Sequence, residues 1–169
     1  LKGASDDEAT RKWISEGLER ISVVNRDFTM DMNTLCNTLI KELITFVGAQ
    51  QGAIFLVEKD SQENTEIKLS GSFGSNSDIV ALQSASIKDS LIGQAIASNE
   101  KIFVRNCELP LFHIHAGLFK SEKSNVFIFP LFAGGNVIGV IEIASVNDLS
   151  FSQLNYINRL LEPVAASIH

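Results

Sequence analysis

NVFIFPLFAGGNVIGVIEIAS, Asn125 to Ser145, is the stretch whose reading decides the fold. It holds two β-rich runs joined by Ala133, Gly134, Gly135 and Asn136, residues suited to the positive φ angles of a tight hairpin. The pattern predicts the central hairpin of a sheet. Pro130 has no amide hydrogen to donate, so a fully paired position is not expected there.

Downstream, Ser150-x-x-Gln153 reads as a capping box, with Leu149 and Leu154 at staple positions. The helix that follows repeats Leu154, Ile157, Leu161, Val164 and Ile168 at spacings of three and four, a short heptad seam. Pro163 is expected to bend it or loosen one turn. Upstream, AIFLV and EIKLS read as strands joined by the polar link KDSQENT. LIGQAIAS has the look of one or two helical turns and KIFV of a brief strand, while Ile79 to Leu82 suggests a short helix within a loop.

Two amphipathic helices precede the first strand. One carries Trp13, Ile14, Gly17, Leu18, Ile21, Val24 and Phe28 on one face. The other is capped by Asp31, presents Leu35, Cys36, Leu39, Ile40, Leu43 and Val47, and ends at Gly48. Strands and helices in this order, without regular alternation, indicate an α+β fold with an antiparallel sheet.

The 169 residues are 45% hydrophobic, enough for one domain that buries roughly 70% of its unfolded surface. Residues 1–11 read as a flexible lead-in or linker and 12–169 as the domain. The net charge of -6 and pI near 5.0 provide no basic surface for nucleic acid or anionic lipid. No apolar run is long enough to span a membrane, so no direct membrane insertion is expected and the chain reads as cytoplasmic. It opens without an initiator Met and stops at His169 without a C-cap, as a fragment would whose terminal helices continue into neighbouring domains.

The chemistry-bearing stretch is CELPLFHIHAGLF, Cys107 to Phe119. In an extended backbone His113 and His115 would share a side, as a metal requires, but no third ligand is patterned nearby. One axial histidine is equally thin ground for haem. Cys107 with His113 or His115 as base would need a thiol of lowered pKa. The third reading is a pocket wall, in which Phe112 and Phe119 supply apolar surface and a histidine a hydrogen bond. Cys36 and Cys107 are read as free thiols, since neither belongs to a C-x-x-C pair.

Taken together, WISEGLERIS, VGAQQGAIFLVE, LIGQAIASNEKIFVRN and FIFPLFAGGNVIGVIEIAS with its capped helix resemble a GAF domain over about residues 12 to 168. The likeness is to the GAF domains of bacterial sensor histidine kinases and related signalling proteins. The resemblance implies a central antiparallel sheet of about six strands, PAS-related, with the terminal helices on one face and a ligand pocket on the other. It further implies that Phe73 borders this pocket and that Leu111 to Lys123 form its lid. Bilin-binding relatives typically have a cysteine followed by histidine, whereas Cys107 is followed by Glu108. Asn147 and Phe151 match positions of the cyclic-nucleotide-binding members, but Asp148 replaces a lysine and Asn155-Tyr156 an acidic pair. Free methionine sulfoxide reductases share the fold and use several cysteines, where this chain has two.

The expectation is a non-enzymatic, small-molecule-sensing regulatory domain of a larger signalling protein, a sensor histidine kinase. Its ligand residues would be Phe73, Phe112, His113, His115 and Phe119, with His115 turned inward. A homodimer would form through Trp13, Leu18, Ile21, Leu154, Ile157, Leu161 and Val164. The cofactor is unknown, and neither haem nor metal is expected. The alternative is a ligand-free dimerisation and relay module, whose pocket is plugged by some of the eleven phenylalanines.

Overall fold

The computed structural model describes residues 2–74, 87–108, 114–116, 119–121 and 123–169. Helices α1 (Lys2–Asn25) and α2 (Met32–Val47) lead into strands β1 (Gln51–Lys59) and β2 (Thr65–Phe73). Helix α3 (Leu91–Ser98) and β3 (Ile102–Cys107) follow, then a ribbon of β4 (Ile114–Ala116) and β5 (Phe119–Ser121). The hairpin β6 (Ser124–Ala133) and β7 (Asn136–Ser145) and helix α4 (Phe151–Ile168) close the order. The main sheet is antiparallel in the order β2-β1-β7-β6-β3, and β4-β5 pair separately. Five strands form the main sheet, in keeping with the expected count of about six, and β4 and β5 pair with each other.

The local signals set the element ends. Asp31 Oδ1 accepts the Thr34 amide hydrogen at 2.9 Å, and Gly48 ends α2 with φ 76°. Ser150 and Gln153 form the reciprocal capping box. The Gln153 side-chain amide also donates to the Val47 carbonyl at 2.7 Å, tying the start of α4 to the end of α2. Pro130 pairs with Val140 on β7, but pairing of β6 with β3 reaches only to Ile128. Pro130 therefore sits where β6 has a neighbour on one side only, which accommodates the missing amide hydrogen. Helix α4 runs unbroken through exposed Pro163, whose carbonyl accepts from Ser167 Oγ at 3.0 Å and Asn25 Nδ2 at 3.4 Å.

Three expectations change. Residues 2–11, expected as a flexible lead-in or linker, are helical and continue α1. Asp7 with Arg11 and Glu8 with Lys12 have the acid-before-base i, i+4 spacing that supports a solvated helix. Helix α1 ends at Asn25, which leaves Phe28 93% exposed in the elbow to α2 instead of on the core stripe. Finally, Ile21, Ile157 and Val164, expected at a dimer interface, are buried within the chain. Trp13, Leu18, Leu154 and Leu161 are half-buried against the same core.

That core lies between one sheet face and the layer of α1, α2 and α4. Its tightest point is Gly17. Trp13 stacks on Phe46 with centroids 4.6 Å apart, and both rings contact Tyr156, whose hydroxyl donates to the Gly17 carbonyl at 3.2 Å. A Cβ on Gly17 would lie 2.3 Å from Phe46 and 2.6 Å from Tyr156 ring carbons. Gly17→Ala is predicted to cost about 2 kcal/mol, overpacking outweighing the gain in helix propensity. Gly3→Ala, whose Cβ would meet open space, should be neutral or stabilising. Denaturant midpoints of the two variants check this.

Candidate functional site

Strand pairing sorts side chains onto two faces. Ile54, Phe127, Phe129, Leu131, Ile141 and Ile143 face the helical layer. Ala53, Phe55, Val126, Ile128 and Val140 face the opposite way, where Ile92 and Ala95 of α3 pack on them. Ser90 caps α3 by accepting the Ile92 amide hydrogen at 3.2 Å, and Asn99 ends it with φ 58°.

Alternation along β7 places Glu142 on this second face, between Val140 and Ala144. Glu142 lies opposite Ala53 of β1 and Ile128 of β6 and is 4% exposed. Its Oε1 is buried without a hydrogen-bond partner. Burial raises the carboxyl pKa from 4.5 to about 8, since the charged form is removed from water. Gln51, buried on the same face, stands opposite Ala144, and Ser72 lies opposite Ala53. A buried acid near the middle of a five-stranded sheet, amid apolar neighbours, is suited to holding a polar group of a ligand.

The edge of this face is stitched by polar contacts. Asn125 Oδ1 accepts the Asn106 amide hydrogen at 3.1 Å, and its Nδ2 donates to the Val146 carbonyl at 3.2 Å, across the irregularity in β3 before Cys107. Arg105 pairs with Asp148 at 2.9 Å and holds that carboxyl below its usual range.

Cys107 packs at the margin of the second-face cluster, and burial together with the Glu108 charge pushes its thiol pKa up. Burial raises Cys36 to about 11. Both shifts suppress the thiolate that a nucleophile requires. Among the described residues no three His, Cys, Asp or Glu come together to hold a metal.

Of the residues expected at the site, Phe73 is the one whose side chain lies among the described residues. Phe73 pairs with Gly52, on the face that meets Ile40 and Ile44 of α2, and packs against the helix-side core, not the second face. A register parity turns it there. His115 pairs with Lys120, and Phe119 with Ala116, in the β4-β5 ribbon. Phe112 and His113 lie outside the described residues, as do Ile79 to Leu82. Phe151, at a cyclic-nucleotide motif position, is 85% exposed, and Tyr156 is in the helix-side core. Glu142 was missed by reading motifs, although the run VIEIA carries its signal: one charge within a stretch otherwise apolar on both faces. A separate cleft of about 360 Å³ lies between the elbow at Phe28, Met30 and Leu35 and Ala166 and Ser167 of α4, on the helical layer.

A family model described as GAF domain matches residues 29–169. The chain is a GAF domain. Solved structures agree in fold. The GAF domain of a phosphoenolpyruvate-protein phosphotransferase from Coxiella burnetii is 19% identical, with 92% of each chain covered and a TM-score of 0.71. The A. aeolicus nlh2 GAF domain in an inactive state is 16% identical, covering 94% of this chain and 96% of that one at 0.68. Free methionine-R-sulfoxide reductase from Neisseria meningitidis, in complex with its substrate, is 22% identical, covering 92% and 87% at 0.66. No curated protein matches the chain by sequence. As a GAF domain it has α1, α2 and α4 on one sheet face and α3 with Glu142 on the other, and no described helix is long and apolar enough to cross a membrane.

The raised acid has a consequence for stability. Between pH 4.5 and about 8 the folded chain keeps a proton on Glu142 that the unfolded chain has lost, so stability falls as pH rises through that window, by several kcal/mol in total. Glu142→Gln is expected to flatten the profile and to be the more stable form at pH 8, as read from urea unfolding across pH 4.5 to 9.

Proposed function

We propose that this GAF domain is the small-molecule-sensing regulatory part of a larger cytoplasmic signalling protein of the sensor histidine kinase type. The ligand lies over the second face, and the helical layer carries its signal onward. The single observation that supports a binding role is Glu142, a buried acid with an unpartnered oxygen on the face opposite α1, α2 and α4. The raised thiol pKa values favour binding over nucleophilic catalysis.

The same strand gives a route for the signal. On β7, Glu142 alternates with Ile141 and Ile143, which pack in the core shared with α1, α2 and α4. A ligand that pulls on Glu142 in one arrangement more strongly than another therefore biases the packing of those helices. Half-buried Leu18, Leu154 and Leu161 retain apolar surface through which two copies can pair.

Native mass spectrometry of freshly purified chain, followed by denaturation, tests the reading. A small mass lost on denaturation, with slowed amide exchange in β7, α1 and α4 of the occupied form, is expected. An apo dimer whose exchange no added small molecule alters would favour a ligand-free relay instead. Leu161→Glu should shift sedimentation toward monomer, and an unchanged species would remove these leucines from the interface.

A further inference from the structure

Glu142 stands with no partner for Oε1 where satisfied groups are the rule, since a buried polar atom without a hydrogen bond is costly. Its immediate neighbours offer nothing to pair with it. Ala53 and Ile128 flank it across the sheet, and neither side chain carries a polar atom. Helix α3, LIGQAIAS, packs over β6 and β7 without a single charged residue. On β1 and β6 the same face carries Gln51, Ala53, Phe55, Val126 and Ile128. Cys107 of β3 is the other titratable group of the cluster, while Lys59 and Lys88 are exposed. Among the described residues, then, no Lys, Arg or His of these elements neutralises Glu142.

Among the described residues this environment lacks a hydrogen-bond donor with positive charge. We infer that the ligand of the second face carries a protonated nitrogen, an amine, amidine or guanidine, which the Glu142 carboxylate anchors. The inference rests on the small-molecule-sensing reading and names the ligand's chemical class. A neutral donor could satisfy Oε1 but brings no countercharge, so it leaves the cost of ionising the buried carboxyl in place, whereas a cation removes it. A carbonyl ligand could only accept from the protonated acid and would leave the second oxygen bare. An amidinium or guanidinium offers two parallel N–H groups, which match both carboxylate oxygens.

Proton balance gives the inference a signature. Glu142 is mostly protonated in the empty domain at neutral pH, so binding a cation expels that proton to solvent and forms the carboxylate. Affinity for a cation should rise about tenfold per pH unit below the Glu142 midpoint and level off above it. A ligand that accepts from the protonated acid shows the reverse, losing affinity as the pH passes the midpoint.

The test uses the whole chain and two isosteric pairs, benzamidinium with benzamide and methylguanidinium with methylurea, at matched ionic strength. The Glu142 carboxyl is followed by carbon-13 NMR, and binding by second-face resonances in wild type and Glu142→Gln. The expected result is that the cations lower the Glu142 titration midpoint, bind at least about tenfold more tightly than their neutral isosteres, and lose that advantage in the variant. If a neutral isostere binds as tightly as its cation, or the variant holds the cation equally well, the anchor is overturned and the sensing reading stands. If neither member of either pair perturbs the second face, both are overturned.

Discussion

Burial of β7 on both faces is the constraint on which this domain turns. The strand lies between β1 and β6, with the helical layer on one side and α3 on the other. Every residue from Gly139 to Ser145 is buried, so each side chain must be apolar or find a partner within the protein. Glu142 breaks that rule at the strand's middle, against the consistency that a folding sequence otherwise maintains. Such a breach carries a cost at that position, because a buried polar atom without a hydrogen bond loses its hydration unrepaid.

The helical layer is organised by a different constraint. At Gly17 the absence of a side chain lets α1 approach the rings of Phe46 and Tyr156 closely, and the Tyr156 hydroxyl closes the contact on the α1 backbone. With the Gln153 bond to Val47, helices from opposite ends of the chain become one packed unit. Burial raises the Tyr156 phenol pKa above its ordinary value, so its hydroxyl stays a donor across the physiological range. Displacement of β7 would be transmitted to a tightly packed layer rather than absorbed by a loose one.

Much of the fold was legible in the sequence because its signals are local. The Ser150 and Gln153 capping box, the Asp31 cap, the Gly48 terminus and the Gly134-Gly135 turn each act within a few residues, and all are present. The site was less legible. The Cys107 to Phe119 stretch stands out by its residue types, but chemistry depends on which groups share a face and what surrounds them. Phe73 illustrates the difficulty, since whether it meets the helices or the second face depends on pairing with Gly52 and on the bulge near Ile54.

The sequence by itself determined the element order, the antiparallel α+β class and the GAF family likeness, because periodicity, caps and turns are set by neighbouring residues. Tertiary structure alone decided that Ile21, Ile157 and Val164 are core rather than interface, that Phe28 is exposed, and that Glu142 is isolated. Burial and electrostatic partnership are properties of distant segments brought together, and no local window of a chain contains them.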